Sequence, residues 1–177
     1  FSAIAFGLIG ISNVLVPVYF GYEYMPCIML INLLSITVFF ISWANVVRTQ
    51  YLMPLHHDKI YVESMIIGAV ANFIINSMLI PKFAGVGAAI GTIVAEFTVM
   101  IVQMIGIRKE LPIFLFCGKS IPYLVIGFIM QIIVKKYGMI FGISITTLIG
   151  QVVVGGVVYC LLCGCYFKLF KDELGTM

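Results

Sequence analysis

The feature that most constrains this chain is its division into apolar segments of membrane-spanning length. A helix needs roughly 20 apolar residues to cross the hydrocarbon core of a bilayer. The sequence contains six such segments, and they leave no room for a soluble domain. It therefore predicts an all-α fold, a polytopic transmembrane bundle of about six spanning helices. The segments are Phe1–Phe20, Pro26–Val47, Val62–Ile80, Gly85–Ile107, Ser120–Tyr137 and Phe141–Phe167.

Composition supports the same class of protein. Hydrophobic residues make up 63% of the chain and charged residues only 10%, whereas soluble domains carry about 25% charged residues. The first apolar segment opens at Phe1 without a basic leader or a cleavage site. It is therefore predicted to be a spanning helix and not a signal peptide. We expect the chain to be the C-terminal part of a longer protein.

The charges between the segments predict an orientation. The basic residues of the turns after the first, third and fifth segments are only three, Lys82 and, within the predicted turn Lys135–Ile140, Lys135 and Lys136. Short cytoplasmic loops are enriched in Lys and Arg, so the more basic set is placed in the cytoplasm together with both chain ends. The net charge of +3 reflects this bias, and no nucleic-acid partner is expected. The basic set is Arg48, Lys59, Arg108, Lys109, Lys119, Lys168 and Lys171.

Proline and glycine positions predict where helices end and where they pack. Pro81 is expected to close the third segment, and Pro122 to open the fifth. The turn 82–85 is short, so the third and fourth helices should be antiparallel neighbours. Gly87 and Gly91 are four residues apart, a spacing that lets two helices approach closely in lipid. The glycine spacing does not match a dinucleotide-binding loop.

Polar residues inside the segments suggest a functional surface. Asn72 and Asn76 lie on one helical face because they are four residues apart, and Glu96 lies in the middle of the fourth segment. An acid at that depth is costly and usually faces a bundle interior or a wet cavity. For each amide the alternative is an ordinary interhelical hydrogen bond worth ~1 kcal/mol. For Glu96 the alternative is a buried, neutral carboxyl. Scattered additions are Asn32, Ser35, Asn45, Gln103, Gln131 and Gln151.

Two other groups of residues carry less weight. Cys160, Cys163 and Cys165 lie in the last apolar segment, where cysteine behaves as a small hydrophobic residue. Structural zinc needs four ligands, so neither a metal nor a cofactor is expected. The run 56–58, His-His-Asp, is predicted to be part of a solvated cytoplasmic loop.

The order of several segments resembles a known family. The series VPVYFGYEYMP, QYLMP, GAVANFIINSMLIP, FAGVGAAIGTIVAE and GGVVYCLL ahead of KDEL is similar to polysaccharide flippases. These belong to the multidrug, oligosaccharidyl-lipid and polysaccharide exporter superfamily. The resemblance implies two pseudo-symmetric bundles of six helices, sometimes with two more, so that this chain is a fragment of a fold of 12 to 14 helices.

The resemblance also implies a function. Such proteins move an undecaprenyl-diphosphate-linked oligosaccharide to the outer leaflet of the bacterial plasma membrane by alternating access. The lumen candidates here are Asn72, Asn76 and Glu96. Arg48, at the cytoplasmic mouth, is a candidate first contact for the diphosphate or else an interfacial charge. The expected partners are the lipid-linked oligosaccharide, membrane lipids and, if one is used, a proton or sodium as coupling ion.

Three alternatives remain open on the sequence. A multidrug exporter shares the implied fold, and Glu96 would suit a cationic drug. A membrane glycan polymerase or ligase handles the same lipid, but it would need a catalytic set on a sizeable loop, and no paired acid and base is evident there. We therefore expect the chain not to be an enzyme. A purely structural membrane subunit is the third alternative.

Overall fold

The computed structural model describes residues 1–111 and 113–169. It contains five α-helices: α1 Ser2–Tyr19, α2 Cys27–Val47, α3 Asp58–Ile107, α4 Ile113–Phe141 and α5 Ile145–Leu169. A short 3₁₀ helix, Tyr22–Tyr24, follows α1, and a π-helix, Arg48–Leu52, follows α2. The described residues include no strand, so the predicted all-α fold is confirmed. The predicted cytoplasmic tail, residues 170–177, lies outside the described part of the chain.

All five helices are long and apolar enough to cross a membrane, but α3 is too long for a single crossing. It has 50 residues and would measure roughly 75 Å if straight, against a hydrocarbon core of about 30 Å. At Ala84 the backbone leaves the helical region, with φ 46° and ψ −122°. The chain reverses there, and α3 consists of two arms, residues 58–83 and 85–107.

Contacts between the arms show that they form an antiparallel hairpin. Near the open end, the Gln103 side-chain amide donates a hydrogen bond of 3.1 Å to the hydroxyl of Ser64. Nearer the turn, Gly91 lies against the side chain of Asn76. The two residues of each pair are at nearly equal sequence distance from Ala84. The predicted tight turn between antiparallel neighbours is therefore confirmed.

The hairpin and most of α2 belong to one compact unit, whose main segment is Met29–Lys119. The rings of Phe40 and Phe97 meet edge to face with centroids 5.2 Å apart, a favoured aromatic geometry. Leu30 packs beside Gly85 at the turn. From the Leu30–Gly85 contact to the Phe40–Phe97 contact, the residue numbers increase on both helices. The helix α2 therefore runs parallel to the second arm.

The other compact unit comprises Ser2–Ile28 and the described part of Ser120–Met177, and so contains α1, most of α4 and α5. The Gln151 side chain on α5 donates a hydrogen bond of 2.9 Å to the Val134 carbonyl on α4. Between α1 and α4, the rings of Phe6 and Phe128 have centroids 6.1 Å apart, and Gly10 packs against Val134. The rising numbers along both helices show that α1 runs parallel to α4.

The parallel arrangement of α1 and α4 bears on how often the chain crosses a membrane. Two parallel spanning helices must be separated by an odd number of crossings. If α3 crossed once, α2 and α3 would give two crossings between α1 and α4. The helices α1 and α4 would then be antiparallel. Counting the two arms of α3 separately gives three, which agrees with the observed direction. In a bilayer, α3 therefore has to cross twice.

Three predicted boundaries are wrong. Pro81 was expected to close the third segment, but it lies inside α3, whose first arm continues to residue 83. The residues of the predicted turn Lys135–Ile140 are helical, since α4 continues to Phe141 and the turn lies at residues 142–144. Charged residues end an apolar run without ending the helix, because Lys is a good helix former. Pro122 was expected to open the fifth helix, but it lies inside α4, which begins at Ile113.

Candidate functional site

The hairpin carries an open groove along one side. Its volume is 680 Å³, within the range of about 300–1,000 Å³ that is usual for small-molecule sites. The lining includes three of the four residues predicted to face a lumen, Asn72 and Asn76 from the first arm and Glu96 from the second. Phe73, Ser77 and several apolar side chains complete it.

The three polar residues lie far from the ends of the hairpin. Asn72 and Glu96 are at equal sequence distance from Ala84, which at 1.5 Å per residue is roughly 18 Å along each arm. This depth falls within the hydrocarbon core of a bilayer about 30 Å thick when the turn is at its surface. The groove therefore places polar groups where lipid offers them no hydrogen-bond partners.

The two amides are linked to each other. The Asn76 side-chain nitrogen donates a hydrogen bond of 2.5 Å to the side-chain oxygen of Asn72. The Asn76 side-chain oxygen is buried and has no hydrogen-bond partner among the described residues. It lies over Gly91, where a Cβ atom would overlap the amide. The absence of a side chain at Gly91 thus makes room for Asn76 between the arms.

Glu96 is the ionisable member of the groove. Its side chain is half-buried, and within the described part of the chain it makes no hydrogen bond or ion pair. A charged carboxylate facing lipid at this depth would cost about 3 kcal/mol. The lining contains no Lys, Arg or His among the described residues. Glu96 is therefore available to a ligand or to water inside the groove.

Glycines set the close approach of the arms beside the groove. A Cβ atom at Gly87 would lie 2.5 Å from the Leu79 carbonyl oxygen on the other arm. A Cβ atom at Gly68 would overlap the Val99 side chain. The arms can approach this closely only because these positions lack side chains. Of the two glycines predicted to pack helices, Gly91 contacts a side chain and Gly87 contacts the backbone.

Arg48, the fourth predicted residue, is not part of the groove lining. It begins the π-helix after α2, and its Nη1 donates a hydrogen bond of 3.4 Å to the Tyr61 hydroxyl. The guanidinium carbon lies 5.5 Å from the centroid of the Tyr61 ring, a cation–π distance. Arg48 therefore connects the end of α2 to the open end of the hairpin.

A second cluster at the open end was missed from the sequence. The Tyr51 hydroxyl donates a hydrogen bond to Glu110, and His57 Nε2 lies 3.7 Å from a Glu110 carboxylate oxygen. The Tyr51 and His57 rings stack with centroids 6.2 Å apart and planes 11° apart. In agreement with the predicted solvated loop, His56 is exposed, and the His57 side chain is still 38% exposed while it contacts Glu110. The missed signal is that the imidazole of His57 and the carboxyl of Glu110 lie equally far in sequence from the predicted turn.

The other polar residues test the alternative that polar side chains inside the segments only make hydrogen bonds between helices. Gln103 and Gln151 are each only 1% exposed and make the hydrogen bonds between helices described above. Ser35 donates to the Ile31 carbonyl of its own helix. The side-chain oxygen of Asn32 is buried without a hydrogen-bond partner among the described residues. Hydrogen bonds within the bundle therefore account for the side-chain nitrogens of both glutamines, whereas their buried oxygens have no partner among the described residues.

The cysteines of α5 do not gather into a site. Cys160 and Cys165 are exposed, and Cys163 is half-buried. Among the side chains that the structure describes, those of residues 1–111 and 118–169, no three from His, Cys, Asp or Glu come together in an arrangement that could hold a metal ion.

Comparison with known proteins supports the membrane class. The chain is 31% identical over 147 residues to an uncharacterized membrane protein of Methanocaldococcus jannaschii. The match covers 83% of this chain but only 28% of that protein, so the chain spans less than a third of the relative's length. No family model and no solved structure matches it. With its long apolar helices, the chain is a helical membrane protein whose hairpin carries a polar groove.

Proposed function

We propose that this chain is part of a flippase for lipid-linked oligosaccharides in the bacterial plasma membrane. The cargo would be an undecaprenyl-diphosphate-linked repeat unit, moved to the outer leaflet for surface polysaccharide synthesis. The observation that supports this proposal is the convergence of Asn72, Asn76 and Glu96 in one groove at mid-depth. A hydrophilic headgroup needs such a surface because the surrounding lipid offers it no hydrogen bonds.

The hairpin suits a transport path that opens alternately to the two sides of the membrane. Its arms are held at close range by glycine contacts and by the Gln103–Ser64 hydrogen bond, so the groove is a preformed surface. The polar side chains of the groove would replace part of the water lost by the headgroup. The protein would change only the position of its cargo, so no polymerisation or ligation of glycans is proposed.

The charge bias of the loops supports an orientation for this path. With Arg48, Lys59, Arg108 and Lys109 on the cytoplasmic side, the open end of the hairpin and the Tyr51–Glu110 contact would lie near the cytoplasm. The turn at Ala84 would then lie near the outer surface. A headgroup entering from the cytoplasm would pass Arg48 before it reached Glu96.

Deletion of the gene tests the proposed function. The deletion strain should accumulate lipid-linked repeat units on the cytoplasmic leaflet, measured by their inaccessibility to a periplasmic glycan-cleaving enzyme in spheroplasts. Expression of the intact protein should restore outward exposure. The matched control is a strain lacking the first glycosyltransferase of the same glycan, which should hold no repeat units. Normal outward exposure in the deletion strain would contradict the proposal.

Export of organic cations is a second candidate function, and the unpaired Glu96 carboxyl favours it. An organic cation bound in the groove would neutralise the Glu96 carboxylate, because the described lining residues include no basic side chain that could do so. Cells that express the protein should then tolerate cationic dyes better than cells that carry the empty vector. Dye tolerance with unchanged repeat-unit exposure would favour this function over the first.

A further inference from the structure

The groove offers hydrogen-bond donors and acceptors on opposite arms. On the first arm, one N–H of Asn76 is used by Asn72, while the Asn72 side-chain nitrogen has no partner among the described residues. On the second arm, the Glu96 carboxyl offers two acceptor oxygens. A sugar hydroxyl both donates and accepts, so neighbouring hydroxyls of one ring match this arrangement.

The charge of the groove disfavours a phosphate. Glu96 is the only ionisable side chain among its described lining residues, and phosphate recognition depends on Arg or Lys. An ionised Glu96 would repel a diphosphate, and a neutral one would attract it only weakly. The groove is therefore better matched to an uncharged part of a ligand.

Phe73 adds a flat apolar wall beside the amides. Its side chain lines the groove yet is 75% exposed, so its ring face is accessible. A pyranose ring carries C–H groups on its faces and hydroxyls on its rim. It can stack on an aromatic ring while its hydroxyls reach amide and carboxyl groups nearby. Phe73 is adjacent to Asn72 in sequence, which places the ring at one edge of the donor arm.

We propose that this groove is a carbohydrate subsite, which binds sugar rings of the cargo through Asn72, Asn76, Glu96 and Phe73 and leaves the diphosphate to other parts of the protein. The inference rests on the proposed function and specifies which part of the lipid-linked headgroup the hairpin recognises. The side chains of the first arm orient the ring, and Glu96 accepts hydrogen bonds from its hydroxyls.

The test compares two lipids that differ only in the sugar. The probes are undecaprenyl diphosphate and undecaprenyl diphosphate carrying one N-acetylglucosamine, and their Kd values are measured with the full-length protein in nanodiscs. The wild-type protein should bind the sugar-bearing lipid about tenfold more tightly, which is about 1.4 kcal/mol and close to the contribution of one hydrogen bond to a charged group. Phe73→Leu and Glu96→Gln should each bring the ratio of the two Kd values close to one.

Phe83→Leu is the matched control, because Phe83 is an exposed phenylalanine on the same arm that does not line the groove. It should leave the Kd ratio unchanged. Equal binding of both lipids by the wild-type protein, or a ratio that survives Phe73→Leu and Glu96→Gln, would overturn the subsite while the flippase proposal stood. Failure to bind either lipid would overturn both.

Discussion

The two units of this protein differ in the polar side chains that line their grooves. In the unit of α1, α4 and α5, the buried Gln151 donates to a backbone carbonyl of the neighbouring helix, and the Ser2 and Tyr159 hydroxyls lie 2.7 Å apart. In the unit of α2 and α3, Glu96 has no partner among the described residues, and the amides of Asn72 and Asn76 bond to each other at the edge of an open groove.

The cavities of the two units differ in the same way. The groove among α1, α4 and α5 has a volume of 270 Å³ and is lined almost entirely by apolar and glycine residues, with Gln151 as its polar member. The hairpin groove is larger, at 680 Å³, and contains the carboxyl. Hydropathy does not reveal this difference, since the spans of α3 and α5 have similar means of 1.9 and 2.1. What separates the two grooves is the ionisable Glu96, because each of them also contains an amide whose buried oxygen has no partner among the described residues, Asn76 in one and Gln151 in the other.

The largest expected effect is on cysteine labelling, which tests how the two units are oriented in the membrane. A cysteine on one side of the membrane either reacts with an impermeant reagent or does not. In a variant without native cysteines, single cysteines at Lys82 in the hairpin turn and at Ser144 in the α4–α5 turn should both react with an impermeant maleimide from outside. Cysteines at Lys59 and Lys109 should not react until the membrane is permeabilised. The reverse pattern would invert the orientation, and opposite results at Lys82 and Ser144 would mean that α3 crosses only once.

Glu96→Gln should have the largest effect on activity. The substitution keeps the shape of the side chain, but it replaces one of the two acceptor oxygens by an N–H₂ donor and removes the ability to ionise. We expect outward exposure of repeat units to fall at least tenfold, or about 1.4 kcal/mol in a transport barrier, with normal protein levels in the membrane. Glu63→Gln, which changes an exposed acid paired only with Lys59, is the control. Full export with Glu96→Gln would assign Glu96 a packing role.

Much of this contrast could be read from the sequence, and the rest depended on helix rotation. The short turn 82–85 predicted the hairpin, and the spacing of Asn72 and Asn76 put both on one face. Whether Glu96 would share that face could not be decided, because rotation of the second arm is set by packing at Gly87 and Gly91. The helical Lys135 was missed because a charged residue marks where an apolar segment ends and not where a helix ends.

Gly87→Ala should destabilise the hairpin strongly. The new methyl group would meet a backbone oxygen, which cannot move without shifting the turn, so we expect a loss of about 1–3 kcal/mol in the free energy of unfolding. Gly156→Ala in α5 is the matched control, because no atom lies within 4 Å of its added Cβ. It should be neutral or stabilising, since Ala favours helix over Gly. Unfolding in detergent micelles, followed by circular dichroism, measures both, and equal stability of the two variants would contradict the close approach.

Tyr51→Phe should have a moderate effect at the open end of the hairpin. The change keeps the ring that stacks on His57 but removes the hydrogen bond to Glu110, for an expected loss of about 1 kcal/mol. Tyr22→Phe, at an exposed tyrosine of the 3₁₀ helix, should leave stability unchanged. The same unfolding measurement compares the two, and an equal effect of both substitutions would mean that the Tyr51–Glu110 contact contributes nothing.

Ala84→Gly should have the smallest effect and the opposite sign. Ala84 has φ 46°, a region that glycine adopts without the steric penalty of a Cβ atom. Relief of this strain should stabilise the hairpin by up to about 1 kcal/mol. The matched substitution Ala88→Gly, within the helical second arm, should instead destabilise it by a similar amount. A loss of stability with Ala84→Gly would contradict the turn conformation.

The turn at Ala84 also constrains how this hairpin can change in evolution. The described contacts across the hairpin, from Asn76–Gly91 near the turn to His57–Glu110 beyond the open end, join residues nearly equally far from Ala84. Insertion of a single residue between Asn76 and Gly91 would rotate the second arm by about 100° relative to the first. Glu96 would then leave the groove, and the glycines would lose their partners. Side chains facing the lipid can vary freely, whereas the length of the connection between the two arms cannot.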